Sequence, residues 1–317
     1  MSSISRKVLV SGASGLLGTA VRQALGVRDA EVLQLVRRDL AAPGELAHGE
    51  LASGQLKWNP AATLPVAEPE RLDGFDAAIH LSGASVAGHR WTPAYKRELW
   101  LSRVESTRAL ATLLAGLRHP PKVLLAASAC GLYGNRKDEI LDEQSGPGKG
   151  FLADLCREWE AATRPAEEAG MRVVHLRLGV VLGAGGGALG KMLPLFRLGL
   201  GGRLGSGNQW MSWISLPDAV AAILFAMVTP ALAGPVNLAA PEPVTNAEFT
   251  RALAHAVHRP ATLPAPAFAL RLALGEMANE GLLSSERAIP AKLARAGFQF
   301  SHPTIDAALK AAMEPAR

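Results

Sequence analysis

Residues 7–25 read KVLVSGASGLLGTAVRQAL. A short run of leucine and β-branched residues precedes glycines at 12, 15 and 18, and Leu17, Val21 and Ala24 then follow at helical spacing. The order is strand, tight turn, helix. In a turn that holds a dinucleotide the three glycines act differently. Gly12 lets the chain turn, Gly15 lets backbone approach a pyrophosphate, and Gly18 lets the helix pack on the strand. The N–H groups at the helix start then face the phosphates. Glycines that only shape a turn would give the same triplet. The dinucleotide reading gains from a second strand lying where the unit requires one.

That strand is AEVLQLVRR, residues 30–38. An NAD site would place Asp or Glu at its tip to bind the ribose diol, whereas this chain has Val36, Arg37 and Arg38. Arginine there fits a 2′-phosphate. A charge-assisted hydrogen bond contributes about 1.5–3 kcal/mol, so one good contact would favour NADP over NAD by roughly ten- to a hundredfold. Asp39 could instead swing back to the ribose, and two solvated arginines closing a strand are the plainer alternative.

Further strands are expected at 56–60 (LKWNP), 75–85 (FDAAIHLSGAS), 121–129 (PKVLLAASA) and 171–183 (MRVVHLRLGVVLG). Helical segments lie between most of them. One of these, ESTRALATLLAGL, sets Leu110, Leu113, Leu114 and Leu117 on one face. The alternation implies an α/β fold with a Rossmann-type, doubly wound parallel sheet and ligand at the carboxyl ends of its strands. Leu81, Ser82 and Gly83 end one strand, and Ser128 ends another. The crossover NPAATLPVAEPERLDG, with Pro60, Pro65 and Pro69, opposes a long helix and reads as a loop.

From Gly183 the texture turns glycine-rich, with islands of Leu, Met and Trp that suit either a cover over a ligand or a surface connection. Beyond it, LPDAVAAILFAM, TNAEFTRALAHAV and TIDAALKAAM read as helices, the second capped by Thr245 or Asn246 with Glu248 close behind. The expected division is a sheet domain over 1–182, a substrate-side lobe over 183–262 partly interleaved with it, and a small helical domain over 263–317.

Composition narrows the function classes. With 49% hydrophobic and 19% charged residues the chain suits a large folded core. The net charge of +5 comes from arginines scattered among acids rather than from a basic block, which argues against nucleic acid. The longest nearly apolar run, Ala219 to Val228, is about half of a bilayer crossing, so no membrane insertion is expected. No secretion signal is read at the start. Cys130 and Cys156 lack ligand-spaced partners, which argues against a metal site and suits the reducing cytoplasm.

SGASGLLG, HLSGAS, RWTPAYKRELWLSRVEST, SACGLYG, GGGALGKMLPLFRLGLGGRLGSG and WISLPD together resemble the extended short-chain dehydrogenase/reductase superfamily. More narrowly, the chain is similar to its atypical epimerase-family branch, which carries a small extra C-terminal domain. The resemblance spans essentially the whole length and implies NADP(H) binding, a substrate of unassigned identity and, as a family-level expectation, a homodimer. It implies cofactor contacts from Gly12, Ser14, Gly15, Leu16, Leu17, Gly18, Arg37, Leu81, Ser82, Glu98, Arg103 and Val181, beside Arg38 and Gly83 from the reading of strand ends. An ion pair between Glu98 and Arg103 or its neighbours is the alternative for those two. Where the superfamily commonly has histidine in a WIH motif, this chain has Ser215.

Short-chain dehydrogenases use a tyrosine whose proton is mobilised by a lysine at i+4 on one helix, with a serine orienting the substrate oxygen. Tyr133 and Lys137 have the spacing, but Gly134 and Asn135 between them favour a turn. On the following helix, if Glu160 matches the family's acid, Leu152 and Cys156 fall at the tyrosine and lysine positions, and Cys156 reads as core. Tyr95, the other tyrosine, has Leu99 four residues on. The usual dyad is thus expected to be absent. Tyr133 is expected near the substrate, with proton donation assisted by Lys137 as one possibility. Ser128 either touches substrate or nicotinamide, or caps its strand. Two functions stay open: an NADP-dependent oxidoreductase or epimerase acting on a small polar substrate, or a catalytically silent NADP(H)-binding redox sensor.

Overall fold

The computed structural model describes residues 6–37 and 54–314. Seven strands form one sheet: β1 (Lys7–Ser11), β2 (Glu31–Val36), β3 (Gln55–Lys57), β4 (Ala77–His80), β5 (Val123–Ala129), β6 (Arg172–Leu178) and β7 (Gly234–Leu238). Their order is β3-β2-β1-β4-β5-β6-β7, and every pairing is parallel. The longer helices are α1 (Leu16–Gly26), α2 (Pro93–Trp100), α3 (Ser106–Ala115), α4 (Phe151–Ala161), α5 (Gly187–Arg197), α6 (Leu216–Val228), α7 (Asn246–Ala256), α8 (Ala267–Leu274) and α9 (Ile305–Met313).

Apolar residues on both faces of the strands explain the layers. Val8 and Val10 point into one core with Val21 of α1 and Ile223 of α6, while Leu9 points into the other with Leu110 and Leu114 of α3. A sheet covered on both faces needs such unbroken apolar runs rather than alternation. The strand order reverses between β1 and β4, which opens a crevice at their carboxyl ends. The proline-rich crossover carries only a single 3₁₀ turn, Pro69–Leu72.

The expected strand over 171–183 is two strands. At Gly179 an added Cβ would lie 2.9 Å from the Ser212 carbonyl carbon, and the chain leaves the sheet there. Val180–Leu182 pairs instead with Trp213–Ser215. The strand expected over 75–85 stops at His80.

Leu189 and Leu193 of α5, Phe249 and Leu253 of α7, and Ile305 and Leu309 of α9 share a further core with Trp213, so segments on both sides of residue 262 pack together. The α7 helix opens with a complete capping box between Thr245 and Glu248. Buried Asp218 pins residues 301–302 by accepting from the N–H groups of Ser301 (2.8 Å) and His302 (2.9 Å). Ser215, where the superfamily has histidine, donates to Asp218 and lies 3.1 Å from His302 Nδ1. An imidazole is present here after all, supplied from 87 residues away. Among the described residues, no helix is long and apolar enough to cross a membrane.

Candidate active site

The crevice begins at Gly12, whose φ of +74° is one that side chains disfavour. A Cβ there would stand 2.6 Å from the carbonyl carbon of Leu81, so the turn lies directly against the end of β4. Gly18 is equally constrained, because a Cβ would come 2.1 Å from the Gly12 oxygen. Gly15 precedes α1 without a side-chain cap, and the first turn carries no acid. The open N–H groups and the positive end of the helix dipole there favour an anion. Ser14 and Gly15 are exposed, and Leu16 and Leu17 half-buried. The glycine-rich stretch after Val181 passes over this turn: added Cβ atoms at Gly183 and Gly187 would lie 3.5 and 3.3 Å from the Leu16 side chain. Side chains in that stretch would crowd the helix start.

Beyond β4, Ser82 is buried and Gly83 is exposed. A Cβ on Gly83 would come 3.2 Å from the Arg103 guanidinium carbon. Arg103 sits in a π-helical turn, Leu101–Glu105, a local widening often found at functional sites. Its guanidinium is buried, donates to the carbonyls of Ala84 (2.8 Å) and Leu99 (3.4 Å), and lies 5.1 Å from the Trp159 ring centroid. No carboxylate pairs with it among the described residues, and burial pulls its pKa below the ordinary value. Glu98 is exposed and makes no ion pair with it, so the intrahelical pair is not formed. An uncompensated buried cation is costly unless something anionic reaches it.

Arg37 follows β2 directly and is exposed; Arg38 and Asp39 lie outside the described residues. Arg37 is close enough to His80 for its charge to act there. His80 is fully buried, and burial first, with Arg37 second, lowers its pKa to about 4. Its Nδ1 lies 2.5 Å from Ser11 Oγ across the β1–β4 pair. Among the described residues, buried His80 Nε2 and Trp58 Nε1 have no hydrogen-bond partner, and their rings stand edge to face at 6.2 Å.

At the other end of the crevice a polar cluster joins β5, α4 and β6. Ser128 donates to Glu160 Oε1 at 2.7 Å, and Arg177 grips both carboxylate oxygens, Nε to Oε1 at 2.8 Å and Nη2 to Oε2 at 2.9 Å. Burial raises the pKa of Glu160, but the bonds and charge of Arg177 outweigh it and leave the pKa below its ordinary value. Arg177 Nη1 also donates to the Tyr133 hydroxyl at 3.0 Å. That hydroxyl directs its one proton toward Asn237 Oδ1 (2.8 Å) or the Asp142 carbonyl (2.9 Å).

Tyr133, expected near the substrate with proton donation assisted by Lys137 as one possibility, is instead enclosed. Tyr133 has no exposed surface, and burial drives its phenol well above the ordinary pKa. The reason is local: a 3₁₀ turn, Cys130–Tyr133, is followed by positive φ at Gly134 and at Lys137, which sends Lys137 out to solvent. Tyr133 and Lys137 share no helix face. On α4, Cys156 is buried and its thiol is pushed up to about 12, mainly by burial. Tyr95 is buried too, donating to the Ser85 carbonyl.

A model of the NAD dependent epimerase/dehydratase family matches residues 8–239, and a domain of unknown function, DUF1731, matches 265–312. The chain belongs to that epimerase/dehydratase family. It is 50% identical over 302 residues to an epimerase family protein of Mycobacterium bovis, covering 95% of this chain and 96% of that one. The crystal structure of the human epimerase family protein SDR39U1 with NADPH is similar at 34% identity and a TM-score of 0.85, covering 96% and 98% of the two chains. A nucleoside-diphosphate sugar epimerase from Corynebacterium glutamicum gives 35% identity and a TM-score of 0.77, with 97% of this chain matched to 58% of that one.

Within this family frame, sequence reasoning missed Arg177, the partner of Glu160, and the half-buried Glu286. Neither sits in a motif. Arg177 reads as one more residue in an apolar strand, and only the presence of a charge there signals a buried partner.

Proposed function

We propose that the chain is an NADP(H)-dependent oxidoreductase or epimerase acting on a small polar carbonyl or alcohol, working without a Tyr-x-x-x-Lys dyad. The uncapped, acid-free start of α1 behind Gly12 carries the reading, because it is a backbone cradle into which a Cβ would intrude. In this reading Gly12, Ser14, Gly15, Leu16, Leu17 and Gly18 hold the diphosphate, and Arg37 and Arg38 hold the 2′-phosphate. Leu81, Ser82, Gly83 and Val181 line the path to the nicotinamide. Arg103 supplies positive charge beside Gly83, with Glu98 at the solvent edge. The human relative's NADPH supports the choice of dinucleotide. NADP(H), when bound, supplies or accepts a hydride.

Tyr133 then holds the cluster together rather than moving a proton, and Ser128 orients Glu160. The enclosure of Tyr133 also favours a second reading, a silent NADP(H)-binding sensor. Mixing the protein and NADPH with a library of carbonyl compounds separates the two. Oxidation of NADPH with one class of compound supports the enzyme, and none with any class supports the sensor.

A further inference from the structure

With Tyr133 enclosed and Cys156 held as a thiol, the site needs another group that gains and loses a proton. Glu286 belongs to the region matched by DUF1731, yet its backbone is built into the sheet side: its N–H donates to the Trp210 carbonyl at 3.0 Å, and its carbonyl accepts from Ser212 at 2.8 Å. Ser212 in turn accepts the Val180 N–H onto its carbonyl, just past the end of β6. The next residues, Arg287–Ala288, pair in parallel with Ile140–Leu141. These anchors hold residue 286 just past the carboxyl end of β6, and Ala288, two residues further on, packs in one buried cluster with Cys130, Tyr133 and Cys156. The Glu286 charge would act on both Cys130, which follows β5, and Cys156 on α4. Glu286 keeps partial exposure to solvent.

We propose that Glu286 is the proton-exchanging group of the site, facing the nicotinamide end of the cleft beside Cys156. The proposal rests on the NADP(H) reading above. A carbonyl carbon that receives a hydride pushes its π electron pair onto oxygen. The new O–H bond forms as the Glu286 O–H bond breaks, and the carboxylate left behind takes a proton from water. In the reverse direction the carboxylate removes the alcohol proton. Burial raises Glu286 to about 7, opposed by the Ser284 hydroxyl, so both forms are available near neutrality. Besides Glu286, the charges that act on Cys130 are Arg177 and Glu143, and those that act on Cys156 are Glu160 and Arg103. Both thiols stay protonated and uncharged there.

The test needs no substrate. Oxidised nicotinamide is cationic and reduced nicotinamide is neutral, so a facing carboxylate favours NADP⁺ once it ionises. The 2′-phosphate titrates in both forms and cancels in their ratio. The preference for NADP⁺ over NADPH is expected to rise about tenfold between about pH 6 and about pH 8.5, and to be flat in Glu286→Gln. A flat ratio in the wild-type protein overturns the proposal whether or not the variant folds, and so does an unchanged rise in a folded Glu286→Gln. Failure to bind either dinucleotide overturns the cofactor reading and this proposal with it. Binding with a flat ratio overturns this proposal alone.

Discussion

The two ends of the crevice are built in different ways. Where β1, β2 and β4 meet, the surface offered is backbone: a turn at Gly12 pressed on Leu81 and an open helix start. Where β5, β6 and α4 meet, it is a side-chain cluster in which Ser128, Glu160, Arg177 and Tyr133 satisfy one another. At the first end the turn and the helix start are neighbours in sequence, and Leu81 is brought against them by the β1–β4 pairing. The second end is assembled from separate elements, with Ser128 and Glu160 32 positions apart and Tyr133 and Arg177 44 apart. A backbone site tolerates change in side chains but none in glycine. A side-chain cluster fails when one member is removed, because its partner's charge is stranded.

The sharpest way to break the comparison is Gly12→Val. With positive φ and backbone 2.6 Å from the new Cβ, the turn must move. Affinity for NADPH should fall by about a thousandfold or more, about 4 kcal/mol, in equilibrium titration of protein that still melts cooperatively. Retained affinity would mean that the turn is not the cradle.

At the other end, Glu160→Ala leaves the Arg177 cation buried without its partner. Chemical denaturation should show a loss of about 3–5 kcal/mol, whereas Glu160→Leu with Arg177→Met should lose distinctly less. Equal losses would show that the cluster is not held as an ion pair.

His80 sharpens the contrast through pH. It is buried neutral with a pKa of about 4, against about 6.5 for an unfolded histidine. Between these values the unfolded chain binds the extra proton. The His80 contribution is therefore complete above about pH 6.5 and is lost as pH falls through about 4, to a total of about 3 kcal/mol. Denaturant titrations at several pH values should show this slope in the wild type and a shallower one in His80→Asn.

The same division explains what could be read from the sequence. Strand, turn and helix in residues 7–25 were legible because the glycine spacing and apolar periodicity that form them are local. The α7 capping box was legible for the same reason. The break at Gly179 was not, because it is set by the approach of Ser212, 33 positions later in the chain. Tyr133 showed the right spacing to Lys137, and only the path of the chain past Gly134 reveals that the two part company. Arg177 left only its charge in an apolar strand as a signal and Glu286 none, since their partners Glu160, Trp210 and Ser212 are brought to them by the topology.

The central claim is that the turn at Gly12 cradles a diphosphate while Arg37 grips a further phosphoryl group. Fluorescence titration of NADPH and NADH against the wild type and Arg37→Ala tests it directly. The account predicts NADPH binding roughly ten- to a hundredfold tighter than NADH in the wild type, with most of that margin lost in Arg37→Ala. Equal affinity for the two dinucleotides in the wild type, or an unchanged margin in the variant, would contradict it.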